Sequence, residues 1–174
     1  GVMVGDRHIP GELTTPDPLT LHRTLAELKA EGVEHVAIEA SSHGIDQRRL
    51  DGVKFNAVAF TNLSRDHLDY HETIENYRDA KLRLFRELIN GNATAVIDAG
   101  NEEGLPFMFA ALDKGATVFT VGQGGAHIDV ESVESEGFGQ RVRGKLVGEP
   151  MEFLLPLVGR FQVDNAAVAA GLAM

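Results

Sequence analysis

Cysteine is missing from all 174 residues, so neither a disulfide framework nor a zinc–thiolate site is available to this chain. No stretch comes near the ~18 consecutive apolar residues that a membrane-spanning helix needs. A G-x-x-x-x-G-K-S/T string is absent as well. The nearest match, Gly144-Lys145-Leu146, lacks both the preceding glycine and the hydroxyl residue, so no phosphate loop is written here. Basic residues are in deficit: 16 Lys and Arg face 26 Asp and Glu, a formal charge of −10. That balance disfavours non-specific nucleic-acid binding, which rests on Lys and Arg neutralising phosphates. It leaves room for a phosphorylated small ligand, because bound Mg²⁺ and a few backbone N–H groups can supply positive charge locally. No charged-then-apolar leader is visible either.

What is present fits a globular domain: 43% hydrophobic and 24% charged residues, in a length suited to one domain or a large part of one. The 19 glycines follow no fixed period and indicate turns rather than a fibre. The chain opens on Gly1 and closes at Met174 inside an alanine-rich helical stretch that starts at Asn165, so a piece of a longer protein is expected.

Residues 17–31 predict a helix, with Asp17 as cap, Pro18 in the first turn, Leu21, Leu25 and Leu28 on one face, and Gly32 as the stop. The β-rich run Val33–Ile38 leads into Glu39-Ala-Ser-Ser-His-Gly44, and Ala57–Phe60 leads into Thr61-Asn-Leu-Ser-Arg-Asp-His-Leu-Asp-Tyr-His71. A long helix is expected from about Glu72 to Leu88. A strand at Ala93–Ile97, a helix at Glu102–Leu112 and a strand at Thr117–Val121 follow. Strands alternating with helices predict an α/β fold with a mostly parallel sheet flanked by helices. From Ile128 to Leu157, short alternating runs between glycine-rich turns predict a small antiparallel addition.

Ligands in open α/β sheets sit beyond the carboxyl ends of strands. Two such ends are crowded with polar side chains. Glu39, Ser41, Ser42 and His43 form one group, and Asn62, Ser64, Asp66, His67, Asp69 and His71 the other. Each reads either as a polar loop with caps or as a site for a hard cation and phosphate. In the long helix, Ile74, Tyr77, Lys81, Leu84 and Leu88 are spaced 3, 4, 3, 4, which puts Lys81 on the apolar face. Such a lysine either snorkels to water or is desolvated into a neutral, reactive amine.

Taken together, Leu13-Thr-Thr-Pro-Asp-Pro-Leu19, Ile38-Glu-Ala-Ser-Ser-His-Gly-Ile-Asp-Gln-Arg-Arg49, Phe60–His71, Tyr77-Arg-Asp-Ala-Lys81 and the shorter Gly159-Arg-Phe-Gln-Val-Asp-Asn165 resemble the central ATP-binding domain of the Mur ligases. The likeness is to the MurE type, UDP-N-acetylmuramoyl-tripeptide synthetase, and runs from about Thr14 to Met174. It implies a P-loop NTPase-like fold, here as a single partial domain over 1–174 that lacks the upstream phosphate loop and the downstream ligase domain. It implies ATP as co-substrate, Mg²⁺ as metal, UDP-MurNAc-peptide and an amino acid as partners, and the bacterial cytoplasm as the place of action.

The resemblance assigns the substrate to Thr14, Thr15, Ser41, Gln47 and Arg49, and the nucleotide to Asn165 and Asn62. Glu39 and His67 would hold Mg²⁺, joined by Lys81 as a carbamate that turns a cation into an anionic ligand. Glu39, His67 and Lys81 would thus be the catalytic group. The implied reaction forms an acyl phosphate from the substrate carboxylate and ATP, which the amino group of meso-diaminopimelate or lysine then attacks. Gln162 stands where the family usually has Asn or His. The competing readings are another ligase of the superfamily (MurF-type, cyanophycin or folylpolyglutamate synthetase) and a catalytically silent nucleotide-sugar-binding module.

Overall fold

The computed structural model describes residues 1–63 and 68–174. They fall into two compact units: Gly1–Val53 with His67–Leu84, and Lys54–Asp66 with Phe85–Met174.

The first unit opens with a hairpin that the sequence did not announce, β1 (Val2–Val4) antiparallel to β2 (Arg7–Ile9). Helix α1 (Pro18–Ala30) forms where expected. The Asp17 carboxylate accepts the Thr20 N–H, Pro18 fits the first turn, and Leu21 and Leu28 are buried. Two short helices follow, α2 (Ser42–Asp46) and α3 (Leu68–His71). Helix α4 (Ile74–Arg83) is capped by Thr73, whose hydroxyl accepts the Asn76 N–H.

Two expectations need correction, and one element was not foreseen. Val33–Ile38 forms no strand among the described residues and is largely exposed. β-branched residues become a strand only where a neighbour takes their N–H and C=O groups. The segment after it, for which the sequence predicted no element, turns into a short helix, because Ser41 caps it and Gly44 lets it pack closely. The long helix is α-helical only to Arg83; Leu84–Leu88 make one wider π-type turn before the next strand begins at Ile89.

The second unit is a six-stranded sheet in sequential order: β3 (Phe55–Phe60), β4 (Ile89–Asp98), β5 (Thr117–Gly122), β6 (Ile128–Glu136), β7 (Gly139–Leu146) and β8 (Glu149–Leu155). β3 to β6 pair in parallel, then β6 to β8 antiparallel, so the antiparallel part continues the main sheet. Adjacent residues of β4 face opposite sides. A Cβ on Gly171 would lie 2.8 Å from Val96, on the side of α6 (Arg160–Ala173). One on Gly104 would lie 2.9 Å from Ile97, on the side of α5 (Leu105–Asp113). The two helices therefore cover opposite faces. Val96, Val121, Ile128, Val130, Val142, Val163 and Val168 fill the α6 side. On the other side, Phe60 stacks on the fully buried Phe107, with ring centres 4.0 Å apart.

Outward-facing residues of β7 are tied by ion pairs: Arg141 to Glu136 and Glu152, Arg143 to Glu134 and Glu152, Lys145 to Glu131. No helix among the described residues is long and apolar enough to cross a membrane.

Asp98, at the end of β4, is buried, and its carboxylate accepts the Gly100 N–H at 3.0 Å. Burial raises its pKa and Asp164 adds to the rise, while the Gly100 hydrogen bond and Arg160 oppose it. A raised carboxyl favours the protonated folded form, so ionisation removes stability as pH rises above the ordinary aspartate range. Asp98→Asn keeps an acceptor for Gly100 without the charge. In the intact parent it is expected to raise the melting temperature at pH 7.5, with the gain shrinking toward pH 4. A lower melting temperature at pH 7.5 would contradict this.

Candidate functional site

The first unit gathers most of the residues singled out from the sequence. Thr15 is the hinge of the arrangement. It is fully buried, and its hydroxyl donates to the Glu39 carbonyl at 2.9 Å and accepts the Ser41 N–H at 3.0 Å. With that proton committed, the Ser41 hydroxyl, 3.0 Å away, is the donor to Thr15 Oγ1. Ser41 Oγ in turn accepts the Gly44 N–H at 3.1 Å and so caps α2. Gly44 is required by space, since a Cβ there would lie 2.6 Å from the Thr15 Cβ. Thr14, next in the chain, is exposed.

Arg49 ties into the same knot. Its guanidinium donates to the Thr15 carbonyl at 2.9 Å and to Gln47 Oε1 through Nε at 3.1 Å and Nη2 at 2.5 Å. Gln47 donates onward to the Tyr70 hydroxyl at 3.2 Å, and Tyr70 donates to Asp46 at 2.7 Å. Arg83 braces the loop from α4, donating to the Ile45 carbonyl at 2.7 Å and to Asp51 at 2.5 Å. Burial works to raise the Asp51 carboxyl, but hydrogen bonds from Arg83 and Arg48 overcome it and hold it below its usual value.

Aromatic rings run from this loop toward Lys81. His43 packs on Tyr70 with centres 4.2 Å apart, Tyr70 meets His71 edge-on at 4.7 Å, and His71 stacks on Tyr77 at 5.2 Å. Lys81 Nζ lies 5.1 Å from the centre of the Tyr77 ring, a cation–π distance. Within α4 the expected stripe holds in part, with Tyr77 buried and Ile74 and Lys81 half-buried; Leu84 and Leu88 are buried too, but in the π-type turn rather than on the same α-helical face. Burial lowers the Lys81 pKa, and the Glu39 carboxylate opposes the shift. Lys81 is therefore desolvated, and Glu39, itself exposed, is near enough for its charge to be felt.

Asn62, after β3, and Asn165, on α6, belong to the second unit, where both are exposed. His67, Asp66 and Ser64 lie outside the described residues. Among the described residues no group of three or more His, Asp or Glu could hold a metal ion. Mg²⁺ is compatible with that, since it keeps several waters and takes only one or two carboxylates beside phosphate oxygens. Glu39, whose charge acts on Lys81, is one exposed carboxylate of this unit. Sequence reasoning passed over Tyr70 and the close packing at Gly44. A glycine two residues beyond a pair of serines was the available signal.

A family model described as the Mur ligase middle domain matches residues 1–173. The UDP-N-acetylmuramoyl-L-alanyl-D-glutamate–2,6-diaminopimelate ligase of Brucella melitensis is 53% identical over 174 residues, covering 100% of this chain and 36% of that protein. The chain thus spans about a third of the length of the curated relatives it matches. A solved structure of a ligase with the same name superposes with a TM-score of 0.80 at 29% identity, over 91% of this chain and 33% of the other. MurF from Acinetobacter baumannii shares the fold, with a TM-score of 0.60 at 19% identity over 68% of this chain and 25% of the other.

Two outcomes follow from the geometry. Gly44→Ala should destabilise the intact parent by roughly 1–3 kcal/mol through overpacking against Thr15, read from urea denaturation; an unchanged midpoint would refute the close contact. Glu39→Gln removes the charge that opposes the Lys81 shift. The Lys81 titration, followed by NMR of ¹³C-labelled lysine, should then move to still lower pH. A move upward would show that Glu39 does not face Lys81.

Proposed function

The chain belongs to the Mur ligase family, as part of its middle domain, and from that premise we propose that its intact parent is the ATP-dependent ligase that joins meso-diaminopimelate to UDP-MurNAc-L-Ala-D-Glu in the bacterial cytoplasm. The supporting observation is identity near one residue in two, spread over the whole chain, to ligases named for that reaction. In this reading residues 1–174 are one partial domain carrying a share of the substrate and metal site. The name of the relatives favours diaminopimelate over lysine.

Thr14, Thr15, Ser41, Gln47 and Arg49 form the sugar-nucleotide side. Thr15 and Ser41 act mainly by fixing the loop, since their hydroxyl protons are used within it. Arg49 offers a half-buried cation anchored on neutral acceptors. Asn165 and Asn62 serve the nucleotide. Glu39, His67 and Lys81, the last as its carbamate, would hold Mg²⁺, which offsets the charge gathered between a carboxylate and a triphosphate. Lys81 suits that role because only the uncharged amine adds to CO₂, and burial favours that form. The substrate carboxylate attacks the γ-phosphorus of ATP, ADP leaves, and the incoming amine displaces phosphate from the acyl phosphate.

The test is ADP release by the intact parent with ATP, Mg²⁺ and UDP-MurNAc-L-Ala-D-Glu, with and without diaminopimelate or lysine. Release that needs both the sugar nucleotide and diaminopimelate is expected, and release with lysine alone would redirect the specificity. No release from a folded parent would favour a silent binding module. Lys81→Ala should abolish turnover, a loss of at least about 10²-fold, and short carboxylic acids should restore part of it. Full activity in Lys81→Ala would remove the carbamate from the mechanism.

A further inference from the structure

Eight of the nine residues of α5 are apolar, and Asp113 alone is charged. A helix packed on one side of a sheet needs only one apolar face, and one that is apolar all round is normally buried all round. Phe107, Ala110 and Ala111 form the buried face, where Phe107 stacks on Phe60 of β3. At ~100° per residue, Leu105, Phe109 and Leu112 lie on the opposite side, within about 60° of one another. They are 53%, 58% and 49% exposed. Single exposed apolar residues are ordinary, but three large ones in a row along one helix make a patch of the kind that binds a partner.

The same helix carries opposite charge at its two ends. Glu102 and Glu103 lead into Leu105, and Lys114 caps the far end. Lys114 also stands with Arg86 on an open groove of about 280 Å³, lined further by Pro106, Phe109, Ala110 and Asp113. The groove thus holds two cations and one carboxylate beside the exposed Phe109 ring.

We propose that the outer face of α5 is the interface of a two-fold dimer of the intact parent, with one α5 laid antiparallel on the other. With the axis beside Phe109, Leu105 meets the partner's Leu112, and each Phe109 enters the groove of the other copy. A cavity of about 150 Å³ already holds a benzene ring, so the groove has room for a phenyl side chain. Arg86 and Lys114 offer that ring cation–π contact. Glu102 and Glu103 come opposite the partner's Lys114, whereas parallel placement would set acid against acid and cation against cation. One helix from each copy falls short of the ~1,000 Å² that a stable interface buries. The dimer is therefore reversible, half-formed only at micromolar concentrations or above. The pairing is independent of the reaction proposed above.

Analytical ultracentrifugation of the intact parent, without ligands, from about 1 to 200 μM tests it. The average mass is expected to climb from that of one chain toward that of two. Phe109→Glu places like charges across the axis and should hold the mass at one chain throughout, with the melting temperature of the parent because the position is exposed. Lys114→Glu should weaken the dimer about fivefold or more, and adding Glu102→Lys and Glu103→Lys to it should restore the affinity. Weakening without that recovery, in a triple variant that melts as the parent does, overturns the antiparallel pairing. A dimer that survives Phe109→Glu uses another surface and overturns the proposal. So does a parent of constant single-chain mass; should maleimide then fail to label Phe109→Cys, the rest of the parent covers this face instead.

Discussion

The loop that carries Glu39, Ser41, Ser42 and Arg49 takes its shape from one buried hydroxyl. Thr15 reaches 24 residues ahead to the Glu39 carbonyl and 26 residues ahead to the N–H and hydroxyl of Ser41. Its own carbonyl accepts from Arg49, 34 residues ahead. Backbone groups inside a protein need partners, and an irregular loop has no ladder to supply them. Here a single side chain does so, which makes position 15 intolerant of valine despite its near-identical shape. Valine would leave the Glu39 carbonyl and the Ser41 N–H without their partner. Gly44 completes the constraint by removing the one Cβ that would push Thr15 away.

The ionisable groups divide by burial rather than by number. The ion pairs on β6, β7 and β8 are many but exposed, and such pairs contribute little each. Lys81 and Asp98 have opposite charges and opposite shifts, yet one cause, since burial favours whichever form is neutral. For Lys81 the neutral form is a nucleophilic amine. For Asp98 the neutral form is inert, and its glycine neighbours, Gly100 and Gly122, merely leave room for the carboxylate.

Much of this was legible in the sequence. The Asp17–Pro18 start of α1, the parallel strands β3 to β5 and the switch to antiparallel pairing after Ile128 all carry local signals, of capping or of alternation. The 3, 4 spacing alone placed Lys81 on the buried face. Val33–Ile38 misled because β propensity reports what a pleated surface tolerates, and a strand also needs a neighbour to bond. Which of two adjacent serines caps α2 was illegible because Ser41 and Ser42 are the same residue type. Only the long-range bonds of Thr15 show that the Ser41 proton is committed.

In an acidic chain each positive charge is soon met by a carboxylate, and the arginines differ in whether that happens. Arg141 and Arg143 are spent on glutamates along the sheet, Arg7 on Glu31, Arg160 on Asp164, and Arg48 and Arg83 on Asp51. Each pair cancels its own field within a few ångströms. Arg49 differs in the kind of acceptor that holds it. A carbonyl and a carboxamide orient the guanidinium without neutralising its charge. A carboxylate in the place of Gln47 would hold Arg49 as firmly and cancel the charge. The neutral acceptor is therefore the feature that separates Arg49 from the arginines whose charge is cancelled within the fold.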